Sequence, residues 1–423
     1  MPLRKRAQVQ ELLSGKGKTL NRTPFVRVRL CLGVFVCVLV LSSVPLHAAS
    51  SLSVLDFGAK GDGKADDTAA IRKAIEAGRT QSRPVTFPRG QYIVTQPLEI
   101  EGQSLEGAVA GAWNADSCPM PTLRVSHAKG PAITMKEGAS LHALALVYDR
   151  KDGAKYPAAI QVSGCGVSIT NTRLQYCDDG IMADGKSNTG RLNIENVFIV
   201  APRGVGVYVT RTYDVPTLRN IEVWNNASEM FPGPAFRFGH NDGMRASQLF
   251  AFKLQVGFEF VDDETGAFWG ILQDCATDAC SVGVRVNGEK AHTIGITGGF
   301  FWDHHMTLDL LNPKANVRVA NAELQSNGAP AIDCKACGSL LVNNCRLTRA
   351  MENKEIWSAN LESAGSASIT NCRFEAFGPC ISIGKGVKQG VISGNVFAPS
   401  SHERIRDNRG ADAAIVISGN SGG

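Results

Sequence analysis

The sequence predicts an all-β fold, a parallel β-helix whose coils stack into a solenoid behind an N-terminal capping helix. Three observations predict it. From about residue 140 the chain repeats itself every 23 to 28 residues, a fixed-period self-similarity that marks a solenoid. Each repeat holds short period-2 runs rich in Val, Ile and Phe, broken by Gly, Asn and Asp turns, with no room for a helix pair. Like residues recur at like places: Asn171, Asn196 and Asn220 share one register, as do Asn321, Asn344 and Asn371.

Taken in order, residues 1–49 read as a secretory signal peptide. Arg4, Lys5, Arg6, Lys16, Lys18, Arg22, Arg27 and Arg29 face only Glu11, and "LCLGVFVCVLVL" and a small-residue exit follow. That apolar run is short of the about 20 residues a membrane span needs. An uncleaved anchor is the competing reading. The whole chain is +5, but without this segment the balance turns slightly negative, so no basic footprint for nucleic acid remains. The expected location is secreted, periplasmic or at the cell surface. Ten of the 12 cysteines lie beyond the leader, where export would permit disulfides. Cys334 and Cys337 have C-x-x-C spacing without a second pair or a nearby His, so they read as a structural pair, oxidised or packed, rather than a metal site.

Residues 50–100 form the cap. "GAKGDGKA" (58–65) comes close to a phosphate-binding loop, but Ala65 stands where Ser or Thr is required. Asp66 and Asp67 would put negative charge where phosphate should sit. The expectation is no nucleotide. The stretch reads instead as a tight Gly turn before a helix capped by Asp66 or Asp67, with Ile71 and Ile75 on its buried face.

Residues 101–423 supply the coils. Repeat starts fall at Ile169, Ile194, Leu218, Ala246, Ile271, Ile296, Val319, Val342, Ile369, Ile392 and Ile417. A second strand follows each: "GIMA", "GVGVYV", "AFRF", "VGFEF", "VGVRV", "MTLDL", "PAID", "PCISI". Stacked at about 4.8 Å, equivalent side chains form ladders, and Asn amides can bond along the stack. Cys345 and Cys372 also share a register.

"VLDFGAKGDGKADDTAAIRKAIEA" and the following "VTFPRGQYIV" resemble the N-terminal segment of the pectate-lyase-superfamily β-helix proteins, which include polygalacturonases, related glycosidases and phage tailspikes. The resemblance covers about forty residues closely, and the coil repeat extends it to the C-terminus. It implies a right-handed, single-stranded β-helix that acts on or binds polysaccharide. The fold hosts several reactions, so the chemistry must come from the site. Phage members are trimers, which leaves a homotrimer open, while the leader argues against a phage tail.

Polygalacturonase-like enzymes place an Asp, a D-D pair and a G-H-G on successive coils, as the resemblance implies. Asp178 and Asp179 match the D-D pair before "GIMA". The preceding coil, "YPAAIQV", has no Asp, and the next carries Arg203 in the place of the His. Registering the turns brings forward a second set. Asp184, Arg211, His240, Asp262, Asp263 and Glu264 fall in the turn after the second strand. Two carboxylates about 5–9.5 Å apart would serve hydrolysis. His240 or Arg211 could act as the base of a β-elimination on an acidic polysaccharide. No cofactor is required for hydrolysis, whereas for a lyase Asp262 and Asp263 could hold Ca²⁺. In "FWDHH", Asp303 could orient His304 or His305. Trp224, Trp269 and Trp302 are the expected stacking surfaces for sugar rings. Function is thus open between an enzyme that cleaves or modifies polysaccharide and a non-catalytic polysaccharide-binding scaffold.

Overall fold

The computed structural model describes residues 50–108, 120–149, 154–349, 355–375, 378–399, 401 and 403–422. The expected signal peptide lies outside the described residues. Short strands wind into a parallel β-helix of about 13 turns. Three sheets result. Sheet I holds strands such as Ile181–Ala183, Val207–Val209 and Val282–Val286. Sheet II holds Phe268–Gln273 and Thr293–Thr297, and sheet III holds Ala276–Asp278 and Phe300–Asp303. Strands such as Thr217–Trp224 run through II into III. Each residue pairs in parallel with its equivalent one coil away, as in Ile181↔Val207, Val207↔Phe236 and Phe236↔Phe258.

Alternation decides what fills the interior. Phe236, Phe258, Val284 and Leu308 succeed one another in one inward column of sheet I. All four are fully buried. The Phe236 and Phe258 rings stack at 5.1 Å and 10°. Burial of each such side chain contributes about 1.5–3 kcal/mol.

The Asn repeat has a conformational cause as well as a hydrogen-bonding one. Between sheets II and III the chain turns through one left-handed residue per coil: φ is 50° at Asn171, 53° at Asn196, 50° at Asn220 and 57° at Asn321. Asn tolerates that region far better than most L-residues. The amides also bond along the stack, Asn196 Nδ2 to Asn171 Oδ1 at 3.2 Å and Asn220 Nδ2 to Asn196 Oδ1 at 2.9 Å. Asn196 and Asn220 are exposed, so the ladder ties the outside of the turn rather than a buried one.

One expected repeat start is off by a residue. Ala246 pairs with Leu272, not Ile271. Ile271 points outward at 52 % exposure, and Leu272 is fully buried. At period two a one-residue slip exchanges inside for outside. Asp274, two beyond Leu272, then takes the left-handed position with φ 49°.

The cap matches its expectation in outline. The helix Thr68–Gln81 buries Ile71, Ala74 and Ile75. Asp66 Oδ1 accepts from the Thr68 amide at 3.0 Å, whereas Asp67 makes no capping bond. The Asp67 carboxylate instead accepts from the amides of Lys60 at 2.6 Å and Gly61 at 3.2 Å. The glycine turn therefore cradles an anion belonging to the chain itself.

No disulfide joins two of the nine described cysteines, and eight of the nine are buried. Cys334 and Cys337 are packed, their thiols donating to Ser363 O at 3.4 Å and Ala315 O at 3.2 Å. The Cys345 amide donates to Cys372 Sγ at 3.4 Å, which makes their shared register a contact.

Candidate functional site: a charged column on sheet I

In the sheet I strands from Val207–Val209 onward to residues 359–361, one side chain lies between two inward apolar residues and must face outward. Along the stack that position is Tyr208, Arg237, Glu259, Arg285, Asp309, Asp333 and Asn360. Cations and carboxylates alternate over four coils. Arg237 Nε donates to Glu259 Oε2 at 2.8 Å, and Asn287 Nδ2 donates to Glu259 Oε1 at 3.2 Å. Arg285 Nε donates to Asp309 Oδ2 at 2.9 Å. Asn360 Nδ2 donates to Asp333 Oδ1 at 3.0 Å. The Lys335 ammonium stands 3.8 Å from Asp309 Oδ1 and 3.4 Å from Asp333 Oδ2. The Arg237 guanidinium lies over the Tyr208 ring at 5.8 Å.

The side chains of Asp309 and Asp333 are only 5 % and 8 % exposed, while Lys335 is 47 % exposed. Buried carboxylates persist when paired, and these are paired along the stack. Asp309 Oδ1 has no hydrogen bond. It is the least committed oxygen of the column, screened by a long, loosely placed lysine. Asp309 and Asp333 lie on adjacent coils, about 4.8 Å apart at the backbone. Glu259 is two coils from Asp309, roughly twice that distance.

The turn after sheet I borders this column. Arg211 is clamped between Asp263, at 3.2 Å from Nε, and Glu264, at 2.6 Å from Nη2. Asp263 Oδ1 also accepts from the Thr265 amide at 2.9 Å and its hydroxyl at 2.6 Å. Burial works upward on the Asp263 carboxyl, but the bonds from Thr265 and Arg211 outweigh it and hold it down at about 2. Tyr208 joins turn to column: burial first, then the charge of Asp263, raises its phenol, against the pull of Arg237. His240 is held between Thr265 Oγ1, at 2.9 Å from Nδ1, and Asp242 Oδ1, at 3.3 Å from Nε2. Asp184 Oδ1 accepts from Gln161 Nε2 at 3.0 Å.

Arg211, Asp263 and Glu264 thus meet, with His240 joined to Asp263 through Thr265, but these bonds close turns, and Asp262 bonds to the following coil instead. Asp262 Oδ2 accepts from the Glu289 amide at 2.8 Å, and Oδ1 from the Lys290 amide at 3.1 Å. Burial opposes these bonds, yet they leave the Asp262 carboxyl below its usual range. With Asp263 committed to Thr265 and Arg211, this pair does not fit a shared Ca²⁺. Among the described residues no group of three or more His, Cys, Asp or Glu is arranged to hold a metal.

The other expected site residues are dispersed. Asp178 accepts from the Tyr156 amide at 2.5 Å, and Asp179 Oδ1 from the Val205 amide at 2.8 Å. Each ties its turn to a neighbouring coil, and Arg203 is exposed nearby. Trp224 and Trp302 lie on sheet III, apart from the polar turn. Trp269 lies on sheet II at 60 % exposure. Asp303 corrects a surface expectation: it points into the core at 1 % exposure, bonded through Oδ2 to Thr277 Oγ1 at 3.0 Å. On its strand Trp302 faces out, so Asp303 faces in and orients neither exposed His304 nor His305.

Sequence reasoning missed Arg237, Glu259, Arg285, Asp309, Asp333 and Lys335. For four of them the signal stands in the second-strand runs themselves: the central letters of "FRF", "FEF", "VRV" and "LDL" are Arg237, Glu259, Arg285 and Asp309. It also missed His292, fully buried, which accepts from the Phe268 amide at Nδ1 (2.9 Å) and turns Nε2 towards Asp262 at 3.2 Å. Burial lowers its pKa.

Comparison with known proteins agrees with this architecture. The family described as rhamnogalacturonase A/epimerase, pectate lyase-like, matches residues 51–113. With the parallel β-helix of the remainder, this match fits the pectate-lyase-like β-helix superfamily. A probable glucan endo-1,3-beta-glucosidase of Arthroderma benhamiae is 46 % identical over 56 residues, 11 % of this chain and 6 % of that protein. The chain therefore matches only a small part of that curated relative. The A-module of the Azotobacter vinelandii mannuronan C-5 epimerase AlgE6 superposes with a TM-score of 0.56 at 14 % identity, covering 88 % of this chain and 99 % of that one. A tailspike protein of E. coli bacteriophage HK620, solved with a pentasaccharide, gives 0.54 at 8 % identity, covering 87 % and 80 %. At these identities the likeness is one of fold.

Proposed function

We propose that this chain is an exported polysaccharide-active β-helix enzyme that hydrolyses glycosidic bonds on the outer face of sheet I. The observation that carries the reading is the pair Asp309 and Asp333, two nearly buried carboxylates on adjacent coils that share the Lys335 ammonium. Retaining hydrolysis needs two carboxyl groups about 5–5.5 Å apart, one attacking the anomeric carbon and one protonating the departing oxygen. Neighbouring coils supply that order of spacing without special loops. Asp309 is the nucleophile, because Arg285 fixes one oxygen and leaves Oδ1 free of hydrogen bonds. Asp333, oriented by Asn360, serves as acid and then base. Lys335 is displaced when substrate hydroxyls arrive. The family match and the segment shared with a probable glucanase support a polysaccharide substrate.

A second reading is a non-catalytic polysaccharide-binding β-helix. The close pairing of Arg237 with Glu259 and of Arg285 with Asp309 favours it, because an ion-pair ladder also stabilises a stack. The purified protein is incubated with neutral and acidic polysaccharides, and both reducing ends and the ultraviolet absorbance of unsaturated uronates are followed. New reducing ends without absorbance support hydrolysis. Absorbance contradicts it in favour of β-elimination, and binding without product leaves the scaffold.

A further inference from the structure

The outward side of sheet III carries an aromatic surface that the sheet I reaction does not use. On three successive coils its two outward columns read Phe250 and Phe252, then Ala276 and Asp278, then Phe300 and Trp302. The rings run into one another: Phe250 and Phe252 at 6.5 Å, Phe250 and Phe300 at 6.5 Å, Phe300 and Trp302 at 5.0 Å. Ala276, between Phe250 and Phe300, lets them lean together. Phe300 and Trp302 remain 40 % exposed. Farther along, the same columns become polar, with Arg346 paired to Glu323 at 3.0 Å and to Glu375 at 2.6 Å. The aromatic character is therefore local.

We propose that Phe250, Phe252, Phe300 and Trp302, with Asp278 between them, form a second binding surface for a neutral polysaccharide chain lying along the solenoid axis. Pyranose rings present apolar C–H faces that stack on aromatic rings, and their hydroxyl groups donate to carboxylates. Asp278 stands between Phe252 and Trp302 in its column, and Glu222 between Phe198 and Phe250 in the other. Burial pushes the Glu222 carboxyl up. No basic side chain shares these columns over the aromatic coils, so an anionic polymer would meet only acids here. Area argues against a second copy of the chain. The four rings leave on the order of 300 Å² exposed, against about 800 Å² per partner in a specific interface. The surface is separate from the sheet I column and does not depend on the reaction assigned there.

The test is affinity electrophoresis through gels containing laminarin, hydroxyethylcellulose or soluble starch, with polygalacturonate as the anionic control. Wild type, Trp302→Ala, Phe300→Ala, Trp302→Phe and Asp309→Asn are compared, and melting curves confirm that each is folded. At least one neutral polymer retards the wild type. Trp302→Ala or Phe300→Ala weakens that binding at least tenfold, Trp302→Phe keeps most of it, and Asp309→Asn keeps it while losing reducing-end release. The proposal is overturned if no neutral polymer retards the wild type or if the alanine variants bind as it does. It is also overturned if the wild type sediments as a dimer that Trp302→Ala dissociates. Because Asp309→Asn reads catalysis and the ring variants read binding, the two accounts fail separately.

Discussion

Arg285 and Asp309, on neighbouring coils, are joined at 2.9 Å from Nε to Oδ2, on the outer face of a sheet whose inner face at the same coils is Val284 and Leu308. A charged pair on the outside is thus held by the same register that stacks the core. Asp309→Ala leaves Arg285 without its carboxylate, and the expected loss is roughly 2 kcal/mol of stability, moderated because Arg285 is partly exposed. Urea unfolding of both single alanine variants and the double variant measures the coupling. Strictly additive losses would show that the pair does not interact.

Asp303 gives a prediction of opposite sign. Burial raises its carboxyl well above the usual range, so the folded protein holds a proton there that the unfolded chain releases above about pH 4. The folded state then binds more protons, and stability falls as pH rises, by about 1.4 kcal/mol per unit until the raised pKa is passed. Asp303→Asn removes this term. Urea unfolding between pH 4 and neutrality should show a flatter profile in the variant and higher stability near neutrality. Parallel profiles would contradict the assignment.

Asp263 works the other way. Its carboxyl is held at about 2, so its contribution is present above the unfolded value near 4 and is lost as pH falls towards 2. Asp263→Ala should cost on the order of 2 kcal/mol at neutral pH. The difference from wild type should vanish in acid. A difference independent of pH would assign the loss to packing.

The left-handed ladder separates backbone from side chain. Asn196 has φ 53° and sits between Asn171 and Asn220 in the amide stack. Asn196→Ala loses the amide bonds and meets about 1–2 kcal/mol of left-handed strain. Asn196→Gly loses only the bonds. Thermal unfolding should rank wild type above Gly and Gly above Ala. Equal Gly and Ala variants would remove the conformational part of the explanation.

Much of the coil architecture was legible because inward positions announce themselves. Ile169, Ile194 and Leu218 are apolar at fixed steps and lie in one column, and the recurring Asn marks the left-handed turn. Ile271 misled because two apolar residues adjoin there, and only pairing shows that Leu272 faces inward. The site was harder to read because polar residues follow no hydrophobic rule. Asp178, Asp262 and Asp263 are conspicuous as doublets, yet doublets suit turns, and all three accept turn or neighbouring-coil amides. Asp309 and Asp333 are single acids between apolar neighbours, visible only when equivalent strand positions are compared across coils. Asp303 could not be placed from its motif, because facing in or out depends on the phase of its strand.

The central claim is that catalysis belongs to the sheet I column and not to the turn beside it. Its most direct test is reducing-end release from the best polysaccharide substrate by wild type, Asp309→Asn and Asp263→Asn, all confirmed folded at the assay temperature. The account predicts at least a hundredfold loss of kcat in Asp309→Asn, with Asp263→Asn within a few fold of wild type. Full activity in Asp309→Asn, or loss confined to Asp263→Asn, would contradict it.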